Sequence, residues 1–384
     1  MSRVSIVKCD NYENKNLIQA LETTFDNLGG ISRFIKPGMK VVIKPNLVMK
    51  KNPKDAATTH PALVSAVCSL VVKAGASAII AESPGGLYTE GSLKAVYSVC
   101  GMDKAALESG AVLNHDVSEV EIQNPDAKYV RRLNVIKPLT EADLIINLPK
   151  LKTHGQMIYT GAVKNMFGAI PGLQKPEYHM RMSNYEDFAN ALIDIYLSVK
   201  PGLNIMDAVT GMEGSGPTAG NPRHIGIIAA SENAFELDMT MLDILKVDPG
   251  YVFVTKCAIS RGLCPANIKE IDIVGEKSEN VRVEKFDMPQ LDTLANIQFF
   301  NNRMLRALFT SLKPKPVFRH AACVGCSECA KSCPAHIIEM KNKKPYADLS
   351  KCIRCFCCQE LCPAKAVVIK KPLISRIIFG KPHK

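Results

Sequence analysis

The sequence predicts an α/β protein: a mostly parallel sheet with helices on both faces, followed by a small cysteine-rich α+β domain. Three observations carry this. Residues 1–300 alternate short β-branched runs with longer amphipathic stretches. The strand-like runs are almost wholly apolar, as strands covered on both faces are. The last fifth differs in kind: residues 301–384 hold 17 Lys and Arg against 4 Asp and Glu, with nine of the fourteen cysteines, whereas residues 1–300 hold 31 against 33. A chain of 384 residues is long enough for two or three cores. No apolar run approaches the ~18 residues of a membrane span. The start, Met1 to Lys8, enters a strand pattern with no apolar leader, so secretion is not expected.

In chain order, Val4–Lys8 reads as the first strand and Asn16–Leu28 as a helix. Lys40–Lys44 is the second strand. Thr59 or His60 before Pro61 starts a helix that Lys73, Ala74 and Gly75 end, with a cation in the last turn and a glycine beyond it. Ala78–Ala81 is a strand, Leu93–Ser109 a helix, Asp143–Asn147 a strand and Tyr185–Val199 a helix. Leu203–Met206 and Ile225–Ala229 are strands, Ala234–Lys246 a helix and Ile271–Val274 the last strand. This places an α/β domain at residues 1–300, a Lys-Pro linker at 301–315, the cysteine-rich domain at 316–372 and a basic tail at 373–384. The tail could dock on the large domain or touch an anionic membrane surface; docking is favoured, because one short basic stretch binds lipid weakly.

Ligands of open α/β sheets bind beyond the carboxyl ends of the strands. Lys44, Pro45 and Asn46 follow the second strand, and Glu82 to Gly86 follow the third. Asn147 to Gly155, with Lys150, Lys152 and His154, follow the fourth, and Asp207 precedes a loop holding Gly211, Gly214, Gly216 and Gly220. Lys44, Asn46, Glu82, Lys150, Lys152, Lys164 and Asn165 are the candidate binding residues. Their cationic bias suits a carboxylate or phosphate. His154 is the candidate proton donor, since imidazole ordinarily titrates near neutral pH. The plainer alternatives are solvated lysines and turn residues at strand ends. The Gly214–Pro217 stretch fits neither phosphate-loop pattern, and no flavin or nicotinamide fingerprint is found.

The C-terminal cysteines follow C-x2-C-x2-C-x3-C-P twice, at Cys323, Cys326, Cys329, Cys333 and at Cys352, Cys355, Cys358, Cys362, offset by 29 residues. Three cysteines so spaced wrap three corners of an Fe4S4 cube, and the fourth ligates the other cube. The expected sets are Cys323, Cys326, Cys329 and Cys362 for one [4Fe–4S] cluster, and Cys352, Cys355, Cys358 and Cys333 for the second. Zinc ribbons need no third cysteine in each run, and disulfides suit secreted chains. Cys357, inside the second motif, is an extra cysteine not needed as a ligand. The basic surroundings suggest an acidic redox partner protein. Nucleic acid is not expected, because Phe318, Tyr346 and Phe356 form no stacking ladder.

The C-terminal segment resembles the two-cluster bacterial ferredoxins. The stretches Lys44–Leu47, Thr58–Pro61, Glu82–Gly86, Pro149–His154 and Gly161–Gly168 resemble the family catalogued as domain of unknown function 362. Members that join this domain to a C-terminal ferredoxin are common in anaerobes. The resemblance implies an α/β domain and an iron–sulfur electron-transfer role, and supplies no substrate. The expected clusters imply a reducing compartment, an anaerobe's cytoplasm. Three roles follow: an electron-transfer protein whose large domain recognises a partner or an anionic ligand, a reductase of an anionic small molecule, or a redox sensor or maturation factor.

Overall fold

The structure is a computed structural model that describes residues 2–182, 184–289 and 314–370. Residues 301–313 of the expected linker and the tail at 373–384 lie outside the described residues. One ten-stranded sheet organises the large domain. Its strands are β1 (Arg3–Lys8), β2 (Lys40–Pro45), β3 (Ser77–Ile80) and β4 (Val112–Leu113) and, past a separate hairpin of β5 (Glu119–Gln123) and β6 (Arg132–Ile136), β7 (Leu144–Leu148), β8 (Lys150–His154), β9 (Ile158–Thr160), β10 (Leu203–Glu213), β11 (Asn221–Ser231) and β12 (Asp272–Gly275). The order is β12-β1-β11-β10-β7-β2-β3-β4. The pairings are parallel except those of β11 with β1 and β10 and of β9 with β8.

Residues alternate between the two faces because a strand's side chains point up and down in turn. On β2, Val41 and Ile43 enter one core and Val42 the other; on β7, Ile146 and Ile145 divide the same way. Helices α1 (Asn14–Asn27), α2 (Pro61–Lys73), α3 (Glu90–Cys100) and α4 (Met102–Ser109) cover the first face. Beyond a single turn at α5 (Lys137–Thr140), α6 (Ala162–Asn165), α7 (Gln174–Arg181), α8 (Tyr185–Val199), α9 (Ala234–Ile244) and α10 (Phe253–Ser260) follow, and α6, α8, α9 and α10 pack on the second face. Both faces are covered, as the continuous apolar strands require.

Three expectations need correction. The helix read over Leu93–Ser109 is two, because Gly101 takes a left-handed φ of 77° and its would-be Cβ meets Pro61 at 3.2 Å. The segment Lys150–His154, read as a loop after a strand, is β8 itself. Backbone N–H of Asp207 donates to Pro149 O at 2.8 Å, and β8 then pairs with the outer half of β10 across a bulge. The glycine-rich loop begins later than expected, because Gly211 is still in β10.

The small domain repeats itself. Strands β13 (Lys315–Phe318) and β14 (Ile338–Lys341) recur 29 residues on as β15 (Lys344–Ala347) and β16 (Val367–Lys370). The short helix Glu328–Lys331 recurs as Cys357–Glu360. Left-handed backbone recurs in step at Gly325 and Arg354, Ser327 and Phe356, and His336 and Lys365. The sequence duplication is therefore a structural one, with β13 pairing β16 and β14 pairing β15.

Candidate functional site

Two of the expected binding lysines are spent on structure. Lys44 Nζ lies 2.6 Å from Glu82 Oε2, with both side chains buried. Gly168 sits against this pair: a Cβ there would come within 2.0 Å of Glu82 Oε1 and 2.6 Å of Lys44 Nζ. Lys150 Nζ is 2.9 Å from both Asp207 Oδ2 and Tyr12 Oη. Tyr12 donates to Asp207 Oδ1 at 2.7 Å and stacks on His60 with 3.7 Å between ring centres. A buried lysine without such a partner would lose its charge to desolvation. Lys44 and Lys150 thus serve as paired struts, not as free cations.

The other candidates meet in one cavity of about 730 Å³, its mouth included, between the large sheet and the small domain. Asn46, Glu82, Lys152, His154, Lys164 and Asn165 all line it. A line of amides holds its floor: Asn46 Nδ2 donates to Asn165 Oδ1 at 2.7 Å, Asn165 Nδ2 to Asn147 Oδ1 at 2.7 Å, and Asn147 Nδ2 to Asn204 Oδ1 at 2.8 Å. Lys152 Nζ donates to Asn46 Oδ1 at 2.8 Å and to Ala57 O at 2.6 Å, and meets no carboxylate. Lys164 rides on α6. That turn starts where Asp238 accepts from the N–H groups of Ala162 and Val163 at 2.7 and 3.1 Å, a carboxylate at a helix start. Gly161 leaves room for it, since a Cβ would fall 1.9 Å from Asp238 Oδ1. Burial pushes Asp238 up to about 7.

Three further lining residues were not among the candidates: Thr160, Lys175 and His179. Lys175 Nζ donates to Ser83 O, Ser83 Oγ and Pro84 O at 2.8 to 3.2 Å. Lys175 and His179 stand one turn apart on α7, and that i, i+4 spacing was the available signal. It sits in the polar stretch Gln174–Arg181, which has no apolar stripe to announce a helix. Burial pushes Lys152 and Lys175 down to about 7 and lowers Lys164 as well.

His154 takes a role unlike the one expected. Its Nδ1 accepts from the N–H groups of Gln156 and Met157 at 3.1 and 3.2 Å. That leaves the proton on Nε2, which is buried with no hydrogen-bond partner and lies 3.7 Å from Glu360 Oε2. Burial, with Lys164, His179 and Lys152 nearby, drives its pKa well below the usual value. The ring is neutral at pH 7, so it offers a fixed N–H donor rather than a titrating acid.

The small domain roofs the cavity with Cys357, Glu360 and Leu361. Thr218 Oγ1 donates to Glu360 O at 2.7 Å, and Gln359 Nε2 to Ser215 O at 3.4 Å. A Cβ at Gly85 would lie 2.6 Å from Leu361 Cδ2, so the lack of a side chain admits the roof.

Behind the roof the eight motif cysteines divide between two cavities of about 370 Å³ each. One is lined by Cys323, Cys326, Cys329 and Cys362. The other is lined by Cys333, Cys352, Cys355 and Cys358. The remaining walls are largely apolar, with Phe318, Met340 and Val367 on one and Pro316, Ile338 and Phe356 on the other. Backbone N–H groups point at two of these sulfurs, Gly325 to Cys323 Sγ at 3.4 Å and Ala366 to Cys362 Sγ at 3.2 Å. Four thiols around a largely apolar space, with amides aimed at sulfur, fit an iron–sulfur cluster. Cys357 lines neither cavity; its thiol bonds the Cys355 sulfur and lowers that pKa.

An α/β domain joined to a 4Fe–4S domain defines an iron–sulfur protein. The chain belongs to the family described as domain of unknown function (DUF362), whose pattern matches residues 41–243, and a 4Fe-4S dicluster domain matches residues 315–363. It is 33% identical over 315 residues to the thylakoid-associated protein sll1697 of Synechocystis sp., covering 80% of this chain and 93% of that one. Among solved structures it is similar to the lactate racemase apoprotein of Thermoanaerobacterium thermosaccharolyticum, with a TM-score of 0.39 and 12% identity over 64% of this chain and 57% of that one. So distant a likeness carries no functional argument. Among the described residues no helix is long and apolar enough to cross a membrane.

Proposed function

We propose that this chain is an electron-transfer protein with two [4Fe–4S] clusters, one on Cys323, Cys326, Cys329 and Cys362 and one on Cys333, Cys352, Cys355 and Cys358. The observation that carries the reading is the crossed division of the eight thiols between two cavities. The reading takes two units, residues 1–300 and 316–372; the contacts of Thr218, Ser215 and Gly85 with Glu360, Gln359 and Leu361 support docking of the second on the first. Val324 and Ile353, at equivalent places beside ligand cysteines, are 68% and 43% exposed. Exposed Lys343 and Lys351 lie in the same unit. That combination suits an acidic redox partner. The reducing interior of a cell, the cytoplasm, is the proposed location, since the thiolates must stay reduced to hold iron.

A second reading, reduction of an anionic small molecule in the interdomain cavity, is favoured by the roof. Cys357 is flanked by the ligands Cys355 and Cys358 and faces the cavity. Clusters exchange single electrons, so a two-electron reduction would also need a flavin, a radical or a metal in the cavity. The chain's own part is to bind the anion on Lys152, Lys164 and Lys175 and exclude water beneath Leu361. Anaerobic purification with iron and sulfide quantification, then EPR after dithionite reduction, tests the first reading. About eight iron and eight sulfide with two interacting reduced clusters is the expected result; zinc, or about four iron, overturns it.

A further inference from the structure

We propose that the interdomain cavity binds a small organic dianion, through Lys152, Lys164 and Lys175 with the Nε2–H of His154 and the hydroxyl of Thr160. This deepens the second reading above and rests on it for purpose, not for evidence.

The first argument is charge. Lys152 and Lys175 donate only to neutral oxygens. Lys164 Nζ has no hydrogen-bond or ion-pair partner among the described residues and stands 5.7 Å from the centre of the Phe167 ring. Glu82 is neutralised by Lys44, which leaves Glu360 as the lining carboxylate without a lysine in contact. Burial lowers the pKa of all three lysines; fully protonated they carry an excess of about two positive charges over the one carboxylate, and an anion of that charge would hold them in the charged form.

The second argument is orphaned polar atoms. His154 Nε2, Thr160 Oγ1 and His179 Nδ1 are buried without hydrogen-bond partners, and all three residues line this cavity. Buried donors are rarely left unmade, and the fixed Nε2–H and the hydroxyl are of the right kind to meet oxyanion oxygens. The third argument is shape. Phe167, Pro217 and Leu361 form an apolar side, so the ligand has a carbon body. The enclosed part of the cavity is small and walled by buried side chains, so it takes a small molecule, not a peptide. A dicarboxylate and a phosphate monoester share this chemistry.

The test uses the full-length, cluster-loaded protein under anaerobic conditions. Calorimetric titrations with succinate, with glycerol phosphate and with acetate compare two dianions and a monoanion. At least one dianion binds tenfold or more tightly than acetate, and which one does so separates carboxylate from phosphate recognition. Lys164→Met and Lys175→Met each weaken that binding tenfold or more, and Lys164→Arg restores most of it. Dianions no better than acetate overturn the proposal, as does undiminished binding in both methionine variants. Should a methionine variant fail to fold, the Thr160→Val protein decides: an unchanged dianion affinity there also counts against the site. Iron content and the EPR signal are read on every sample. Normal clusters without dianion binding sink this inference and leave electron transfer standing; dianion binding without two clusters does the reverse.

Discussion

At the residue scale, four lysines that look alike in sequence behave in two ways. Lys44 and Lys150 have buried carboxylates in contact; Lys152 and Lys164 do not. The difference lies in Glu82 and Asp207, 38 and 57 positions from their lysines. No local pattern encodes contacts of that range. The cysteine pattern was legible because a [4Fe–4S] ligand set requires that spacing, and the crossed grouping of the eight thiols is the one it predicts. Lys44→Met is expected to leave Glu82 buried and unpaired and to cost roughly 3–5 kcal/mol, read by chemical denaturation of the anaerobic protein. Cys357→Ala is expected to keep the full iron content, whereas Cys358→Ala loses roughly half of it, since each set holds one cube. Equal losses in the two variants would make Cys357 a ligand after all. Dianion affinity carries a pH signature. Lys152 faces Glu360, Lys164, Lys150 and Glu82; Lys175 faces Glu82, Lys44, Glu360 and Lys164; burial holds both at about 7. Their charged forms bind the anion, so affinity is greatest below about 7 and falls as pH rises through it. The empty protein runs the other way. Its unfolded lysines titrate near 10.5, so between about 7 and 10.5 the unfolded chain holds more protons and stability rises with pH. Calorimetry and thermal unfolding from pH 6 to 9 read the two trends.

At the element scale, the helices Pro61–Lys73 and Tyr185–Val199 ran as the sequence indicated, because Pro at the first turn and an unbroken apolar stripe fix them locally. β8 was illegible for a physical reason. All of Lys150 to His154 are buried, polar and apolar alike, so no solvent face gave the alternation that marks a strand. α6 is legible only with Asp238 in place, since its cap comes from α9, 76 positions on. Gly161→Ala tests that dependence. The added methyl collides with the cap carboxylate, α6 shifts, and Lys164 leaves the cavity. The expected outcome is a loss of dianion affinity of at least tenfold with cluster content retained. Unchanged affinity would mean that α6 does not position the site.

At the scale of the whole molecule, the two units make one chamber that neither makes alone. The large domain supplies the lysines, from β8, α6 and α7; the duplicated domain supplies the roof, on the same short helix that carries Cys358. Sequence composition suggested two units, but not that the second half of the duplication, rather than the first, faces the cleft. The repeat is nearly symmetric, and the choice rests on surface fit at Gly85, Ser215 and Thr218, which no motif records. Gly85→Val is the direct probe of that fit. Gly85 lines neither cysteine cavity and lies on the loop after β3, so iron content and EPR are read alongside. A branched side chain there would occupy the place of Leu361 Cδ2, 2.6 Å from the would-be Cβ, and would also press on Val48 O at 3.2 Å. The carbonyl belongs to the large domain's backbone, so the mobile side of the clash is the roof. With the roof lifted, water reaches Lys152, Lys164 and Lys175, their charges are solvated and their pull on a dianion weakens. The expected result is a normal iron count and EPR signal, a dianion affinity lowered several-fold, and faster amide hydrogen exchange at Ser215 to Thr218, where the roof is held. If affinity and exchange match the parent protein, the roof contributes nothing to the chamber.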